Sequence, residues 1–123
     1  MAKILIVDDD VHATTLLEKV LAIKGHKATS VNDSSETIQV ANSTSPDLIL
    51  LDLMMPEPNG FEVCKMLRAD PNFAQIPVVI ITAMDDNNSK ETAYGAGAND
   101  YLVKPFRMDA LAQAIDALLN KAE

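Results

Sequence analysis

Three continuous apolar runs limit how this chain can fold: Ile4–Val7 (ILIV), Leu48–Leu51 (LILL) and Val78–Ile81 (VVII). None alternates apolar with polar residues, as a strand with one wet face does. A short unbroken apolar run rich in branched side chains reads as a strand covered on both faces. Such strands belong in a parallel sheet held between two helical layers. Lys27–Val31 (KATSV) and Tyr101–Val103 (YLV) are weaker strand candidates.

Helical patterns fill the gaps. Val11 to Lys24 carries Leu16, Leu17, Val20 and Leu21 at helical spacing and stops at Gly25, a helix-closing residue type. Asp33-Ser-Ser-Glu36 predicts a capping-box variant before Ile38 and Ala41, and Pro46 ends that segment. Gly60 to Ala69 carries Phe61, Val63, Met66 and Leu67. Asn88 to Ala96 predicts a short helix with few apolar anchors, mobile enough to suit a switching face. Met108 to Leu119 carries Met108, Leu111, Ile115, Leu118 and Leu119. The alternation is strand then helix, five times over, with no room for hairpins.

The most apolar strands belong in the centre of the sheet and the polar KATSV and short YLV at its edges. That selects the strand order 2-1-3-4-5 over 3-2-1-4-5, which would strand LILL at an edge. The expected fold is α/β, a doubly wound five-stranded parallel sheet with helices on both faces. One domain over residues 1–123 accounts for the length, and 48% hydrophobic residues supply a core. The formal net charge of −8 argues against a nucleic-acid backbone or an anionic membrane as direct partner. No apolar run approaches the roughly 18–20 residues of a membrane helix. Cys64 is the only cysteine, so no internal disulfide exists and the cytoplasm is the expected compartment.

Ligands bind such sheets beyond the carboxyl ends of the strands, where the strand order reverses. Here the first and third strands flank that point. Asp8 and Asp9 follow the first strand, Asp52 the third, Thr82 and Ala83 the fourth, and Lys104 and Pro105 the fifth. Two unit charges about 4 Å apart repel by roughly 4 kcal/mol at an effective dielectric near 20, so converging carboxylates need a shared proton or a cation. All-oxygen donors favour Mg²⁺, with Mn²⁺ the alternative. An acidic metal site with a lysine and a hydroxyl is suited to handling phosphoryl groups. Asp52, on the central strand, is the nucleophile candidate; Asp8 and Asp9 would hold the metal, and Lys104 and Thr82 the phosphoryl oxygens.

Plainer readings stand beside these. Asp10 reads as the N-cap of the first helix. Thr82 and Lys104, each taken alone, read as a strand residue and a surface lysine; their shared position at strand ends sets them apart. His12 and His26 read as solvated residues, Asp85 and Asp86 as a solvated loop, and Cys64 as a buried thiol.

The segments ILIVDDD, PDLILLDLMMPEPNGFEVCKMLR, IPVVIITA and GANDYLVKPF together resemble the receiver domain of two-component response regulators. The resemblance covers nearly the whole chain and implies a flavodoxin-like sheet. It implies that Asp52 accepts a phosphoryl group from a phosphohistidine on a histidine kinase or phosphotransfer protein. It implies Asp8, Asp9, Asp52 and the backbone carbonyl of Met54 as Mg²⁺ ligands, with Thr82 and Lys104 on the phosphoryl group. Tyr101 matches the aromatic switch position, the small Ala83 leaves its ring room, and the Lys104–Pro105 bond is expected to be cis. Asn59 stands where the family often has Asp. Met54 and Met84 occupy positions that tune dephosphorylation; both are apolar, which implies a slowly hydrolysing phosphoform. The implied output is protein–protein contact with a downstream target, through the face built by the fourth helix, fifth strand and fifth helix, and not enzymatic turnover.

The competing reading is an Mg²⁺-dependent phosphatase working through an aspartyl phosphate. Such enzymes place the nucleophile on the first strand with a second acid two residues on, unlike the adjacent Asp8-Asp9 pair and the third-strand Asp52. A flavin-binding protein shares the strand order but wants a hydroxyl-rich phosphate loop where Asp8–Asp10 stand.

Overall fold

The computed structural model describes residues 2–121. Five strands, β1 (Lys3–Val7), β2 (Lys27–Val31), β3 (Leu48–Leu51), β4 (Val78–Thr82) and β5 (Asp100–Val103), form one sheet in the order β2-β1-β3-β4-β5. Every pairing is parallel, with Ile6 opposite Leu50 and Ile80 opposite Tyr101. Five helices connect them: α1 (Val11–Ile23), α2 (Thr37–Thr44), α3 (Gly60–Ala69), α4 (Asn87–Gly95) and α5 (Met108–Lys121).

Alternating side chains of the central strands feed two separate cores, as the two-residue period of a strand requires. Ile4, Ile6, Leu48, Leu50, Val79 and Ile81 pack with Leu17, Val20 and Leu21 of α1 and Leu111 and Ile115 of α5. Leu5, Val7, Ile49, Leu51, Val78 and Ile80 pack on the other face with Ala41 of α2, Val63, Cys64 and Leu67 of α3 and Ala93 of α4. Each of the three apolar runs is therefore buried throughout, whereas β2 and β5 at the edges are only half-buried.

Local chemistry fixes the helix ends. Asp10 caps α1, its carboxylate accepting from the backbone N–H groups of His12 and Ala13. Asp33 does not form the expected capping box on α2. It caps a 3₁₀ turn at Ser34–Glu36 instead, and α2 begins only at Thr37. The helix ends before Pro46 because Ser45 turns left-handed, at φ 50°. A true capping box stands at α3, where the Asn59 side chain accepts from Glu62 N–H and the Glu62 carboxylate accepts from Asn59 N–H. Helix α4 buries only small residues, Ser89 and Ala93. His26 is half-buried rather than solvated: its Nδ1 accepts from Ala2 N–H at 3.2 Å. Cys64 is fully buried, and the Lys104–Pro105 bond is cis, as is Glu57–Pro58.

At the amino ends of the strands, the Arg68 guanidinium donates to the carbonyls of Gly97 and Phe73 and to the Asn99 side chain, at 2.8–3.0 Å. Asn99 in turn accepts from Val78 N–H at 2.8 Å. Gly97 needs to be glycine twice over: its φ is +111°, and a Cβ there would lie 2.6 Å from Arg68 Cγ.

Candidate functional site

The carboxyl ends of β1, β3 and β5 bring Asp8, Asp52 and Lys104 together. Lys104 Nζ donates to Asp8 Oδ2 at 2.9 Å and to Asp52 Oδ2 at 3.2 Å. Both carboxylates are buried, at 3% and 7% exposure, so the ammonium offsets charge that water cannot reach. The remaining oxygens are held by backbone: Asp8 Oδ1 accepts from Asp10 N–H at 3.0 Å, and Asp52 Oδ1 from Met54 N–H at 3.1 Å. Burial pushes the Asp8 carboxyl above its ordinary range, against the pull of the Asp10 N–H and of Lys104. Burial pulls the Lys104 ammonium down, but its bond to Asp8 and the charge of Asp52 outweigh that, and its pKa ends raised. The same contact is thus seen from both sides: the lysine is held in its charged form, while burial still leaves the Asp8 carboxyl raised.

One ammonium facing two carboxylates leaves negative charge unmatched. Asp9 does not join the contact. The chain bends at Asp9, just past the end of β1, and Asp9 is exposed on the wall of a cavity of about 180 Å³ shared with Asn32, Asp33, Ser34, Pro56 and Glu57. Among the described residues, no group of three His, Cys, Asp or Glu side chains is arranged to hold a metal by itself. The donor set is all oxygen, with two converging carboxylates and backbone carbonyls nearby. It fits a hard cation that keeps several of its waters, as Mg²⁺ does, rather than one stripped into a protein cage.

Thr82 lies fully buried at the end of β4, its Oγ1 accepting from Met84 N–H at 3.5 Å. Tyr101, on β5, donates its hydroxyl to the Met84 carbonyl at 2.7 Å. Its ring sits 6.5 Å from that of Tyr94, and Lys90 Nζ lies 6.0 Å from its centroid. Burial and the charges of Asp86, Asp85 and Asp52 raise the Tyr101 phenol, which keeps its proton as a donor. Met54, exposed, and Met84, half-buried, follow Asp52 and Thr82 by two residues and bond to them through their backbone N–H groups. Ala83 is exposed and bears no bulk.

Sequence reasoning missed the supports of this site. Asn32 donates to the Asp8 carbonyl at 2.9 Å and to Thr14 Oγ1 at 3.1 Å. The Ser34 hydroxyl donates to the Pro58 carbonyl at 2.7 Å. Gly60 lies so close to the backbone of Asp52 and Leu53 that no Cβ fits. Asp33-Ser-Ser-Glu36 read only as a capping box, and the partners of Asn32 and Ser34 at Asp8 and Pro58 are some 24 residues away in sequence.

Comparison with known proteins agrees with this geometry. Residues 4–116 match the family model of the response regulator receiver domain. The DNA-binding dual master transcriptional regulator RpaA of Synechocystis is 37% identical over the whole of this chain, which spans 51% of that protein. The chain thus spans about half the length of the curated relatives it matches. A two-component response regulator from Clostridium difficile superposes with a TM-score of 0.92 at 29% identity, covering 100% of this chain and 99% of that one. The chemotaxis protein CheY4 of Vibrio cholerae gives 0.90 at 28% identity, covering 96% and 98%. No helix among the described residues is long and apolar enough to cross a membrane. The chain belongs to the response regulator receiver domains, the signalling switches of two-component phosphorelays.

Proposed function

We propose that this chain takes a phosphoryl group onto Asp52 from the phosphohistidine of a histidine kinase or histidine phosphotransfer protein, and that the modified domain signals by protein–protein contact. What carries the reading is Lys104 set between two buried carboxylates, one of which stands on the central strand. An Asp52 oxygen attacks phosphorus, the phosphorus–nitrogen bond of the donor breaks, and the departing imidazole keeps the nitrogen electron pair and takes a proton from solvent. Lys104, already 3.2 Å from Asp52, then binds a phosphoryl oxygen, and Thr82 Oγ1 binds another after turning from Met84 N–H. Asp8, Asp9, Asp52 and the Met54 carbonyl are the residues to hold Mg²⁺, or Mn²⁺ in its place. The bound ion supplies positive charge against the phosphoryl oxygens.

The switch follows from one residue that two side chains hold: Met84 donates its N–H to Thr82 and accepts at its carbonyl from Tyr101. Thr82 and Tyr101 both bond to Met84, so moving Thr82 toward a phosphoryl group loosens the β4–α4 connection that Tyr101 holds. The partner is a protein: the net charge of −8 disfavours direct contact with nucleic acid or an anionic membrane, and the cytoplasm is the compartment that fits. Acetyl phosphate with Mg²⁺ should add one phosphoryl group to the intact protein, read by mass spectrometry, and Asp52→Asn should abolish the addition. Continued incorporation in Asp52→Asn overturns the assignment. Multiple turnover of a small phosphate ester would replace it with the phosphatase reading.

A further inference from the structure

The segment between β3 and α3, residues 52–59, carries Asp52 and the Met54 carbonyl and holds two prolines, Pro56 and Pro58. Its backbone–backbone bonds converge on one atom: Met55 N–H and Gly60 N–H both donate to the Leu53 carbonyl at 3.2 Å, while Met54 N–H donates to the Asp52 carboxylate. Between its ends, which Lys104 and Glu62 hold, a further tie comes from another loop. Ser34, only 5% exposed, donates its hydroxyl to the Pro58 carbonyl at 2.7 Å and stands 3.4 Å from the Pro56 carbonyl. Ser34 is itself fixed, because Thr37 Oγ1 donates to the Ser34 carbonyl at 2.7 Å. The same two loops wall the cavity that Asp9 faces.

We infer that Ser34 is a positioning residue: its hydroxyl holds the β3–α3 loop, and through it the oxygen ligands opposite Asp8 and Asp9, in the arrangement that takes the cation. This rests on the proposed Mg²⁺ site and adds the group that sets its affinity. A hydroxyl bonded to a carbonyl has a definite reach, so the loop is pinned at Pro58, one residue before the Asn59 cap and two before Gly60. Without the hydroxyl the loop retains its bonds to Leu53 and opens as a local unit, with the sheet unaffected.

The test uses Ser34→Ala, with Ser35→Ala as control, since the exposed Ser35 hydroxyl reaches only Asp33. Titration with magnesium chloride, followed by amide chemical shifts, should give a half-saturation concentration raised roughly two- to tenfold in Ser34→Ala. In the metal-free protein, the Met55 and Gly60 amides should exchange with solvent faster by a similar factor, while amides in the core strands keep their rates. Ser35→Ala should change neither. Unmoved half-saturation and loop exchange in Ser34→Ala overturns the inference. So does faster exchange spread evenly through the core strands, the mark of a merely structural role. Asp52→Asn run in parallel separates the two readings: persistent phosphorylation there removes the phosphoacceptor assignment, whatever Ser34 does to the loop.

Discussion

Gly60→Ala puts the geometry of the Asp52 loop to its sharpest trial. A Cβ at this position would lie 2.2 Å from the Asp52 carbonyl oxygen, 2.5 Å from Leu53 Cα and 2.9 Å from the Asp52 carbonyl carbon. All three are backbone atoms, so no side chain can swing aside, and ordinary contact begins near 3.4 Å. The loop must retreat by roughly 1 Å. The Asp52 carboxylate is held at 3.1 Å by Met54 N–H and at 3.2 Å by Lys104, distances that leave little slack before both bonds fail. Overpacking costs about 1–3 kcal/mol, more than the up to ~1 kcal/mol that alanine gains over glycine in a helix. The melting temperature should fall by roughly 3–10 °C. Displacing the reacting carboxylate by about 1 Å should slow phosphorylation by acetyl phosphate on the order of 100-fold. Gly95→Ala is the internal control. Nothing lies within 4 Å of its Cβ, it ends α4 without a positive φ, and the change should leave the rate alone and stabilise slightly. A Gly60→Ala protein that melts with the parent and phosphorylates within twofold of its rate would refute the close approach on which the reasoning rests.

Further outcomes follow from the same contacts. Lys104→Met leaves two buried carboxylates without their cation and should cost roughly 1–3 kcal/mol, below the figure for fully buried pairs because the ammonium keeps some solvent access. Its pH profile has a definite sign. A carboxyl raised above its unfolded value adds stability below that unfolded value and loses it as pH rises through the folded one, so the variant's deficit should widen from mild acid to neutral pH; thermal melts showing a constant deficit would contradict this. Asp86 has the opposite sign: bonds from the Ser89 hydroxyl and N–H lower its carboxyl, so the α4 cap acts above the unfolded value and is lost as pH falls through the folded one. Asp86→Ala should therefore speed amide exchange at Ser89 and Lys90 at neutral pH, and the difference from the parent should vanish in acid. With Met54 and Met84 beside the site, neither able to orient a water, the phosphoform should persist well beyond seconds at room temperature, as read by intact mass after donor removal.

The sheet was readable because its signal is local: unbroken apolar runs mark buried strands, and polarity marks the edges at β2 and β5. Asp8, Asp52, Thr82 and Lys104 were readable for a related reason, since a parallel sheet carries every strand end to the same side. What escaped depends on distant partners. The split between an inward Asp8 and an outward Asp9 is decided by backbone direction after β1. Asp33 caps a 3₁₀ turn whose first residue, Ser34, bonds to Pro58, across 24 residues of chain. His26 appeared free in sequence and is engaged by Ala2, also 24 residues away. The Asn59–Glu62 box went unread, Asn59 being noted only as a departure from Asp.

The Arg68 knot gives the molecule an unequal pair of ends. One guanidinium bonded to two main-chain carbonyls and an amide oxygen clamps the β4 and β5 entrances to the foot of α3, leaving that floor stiff. Across the sheet, the loop after Thr82 is tied by the Met84 N–H bond to the Thr82 hydroxyl and by the Tyr101 hydroxyl bond to the Met84 carbonyl. The tie between α3 and the β4–β5 pair is thus made at the end of the sheet away from Asp52 and Thr82.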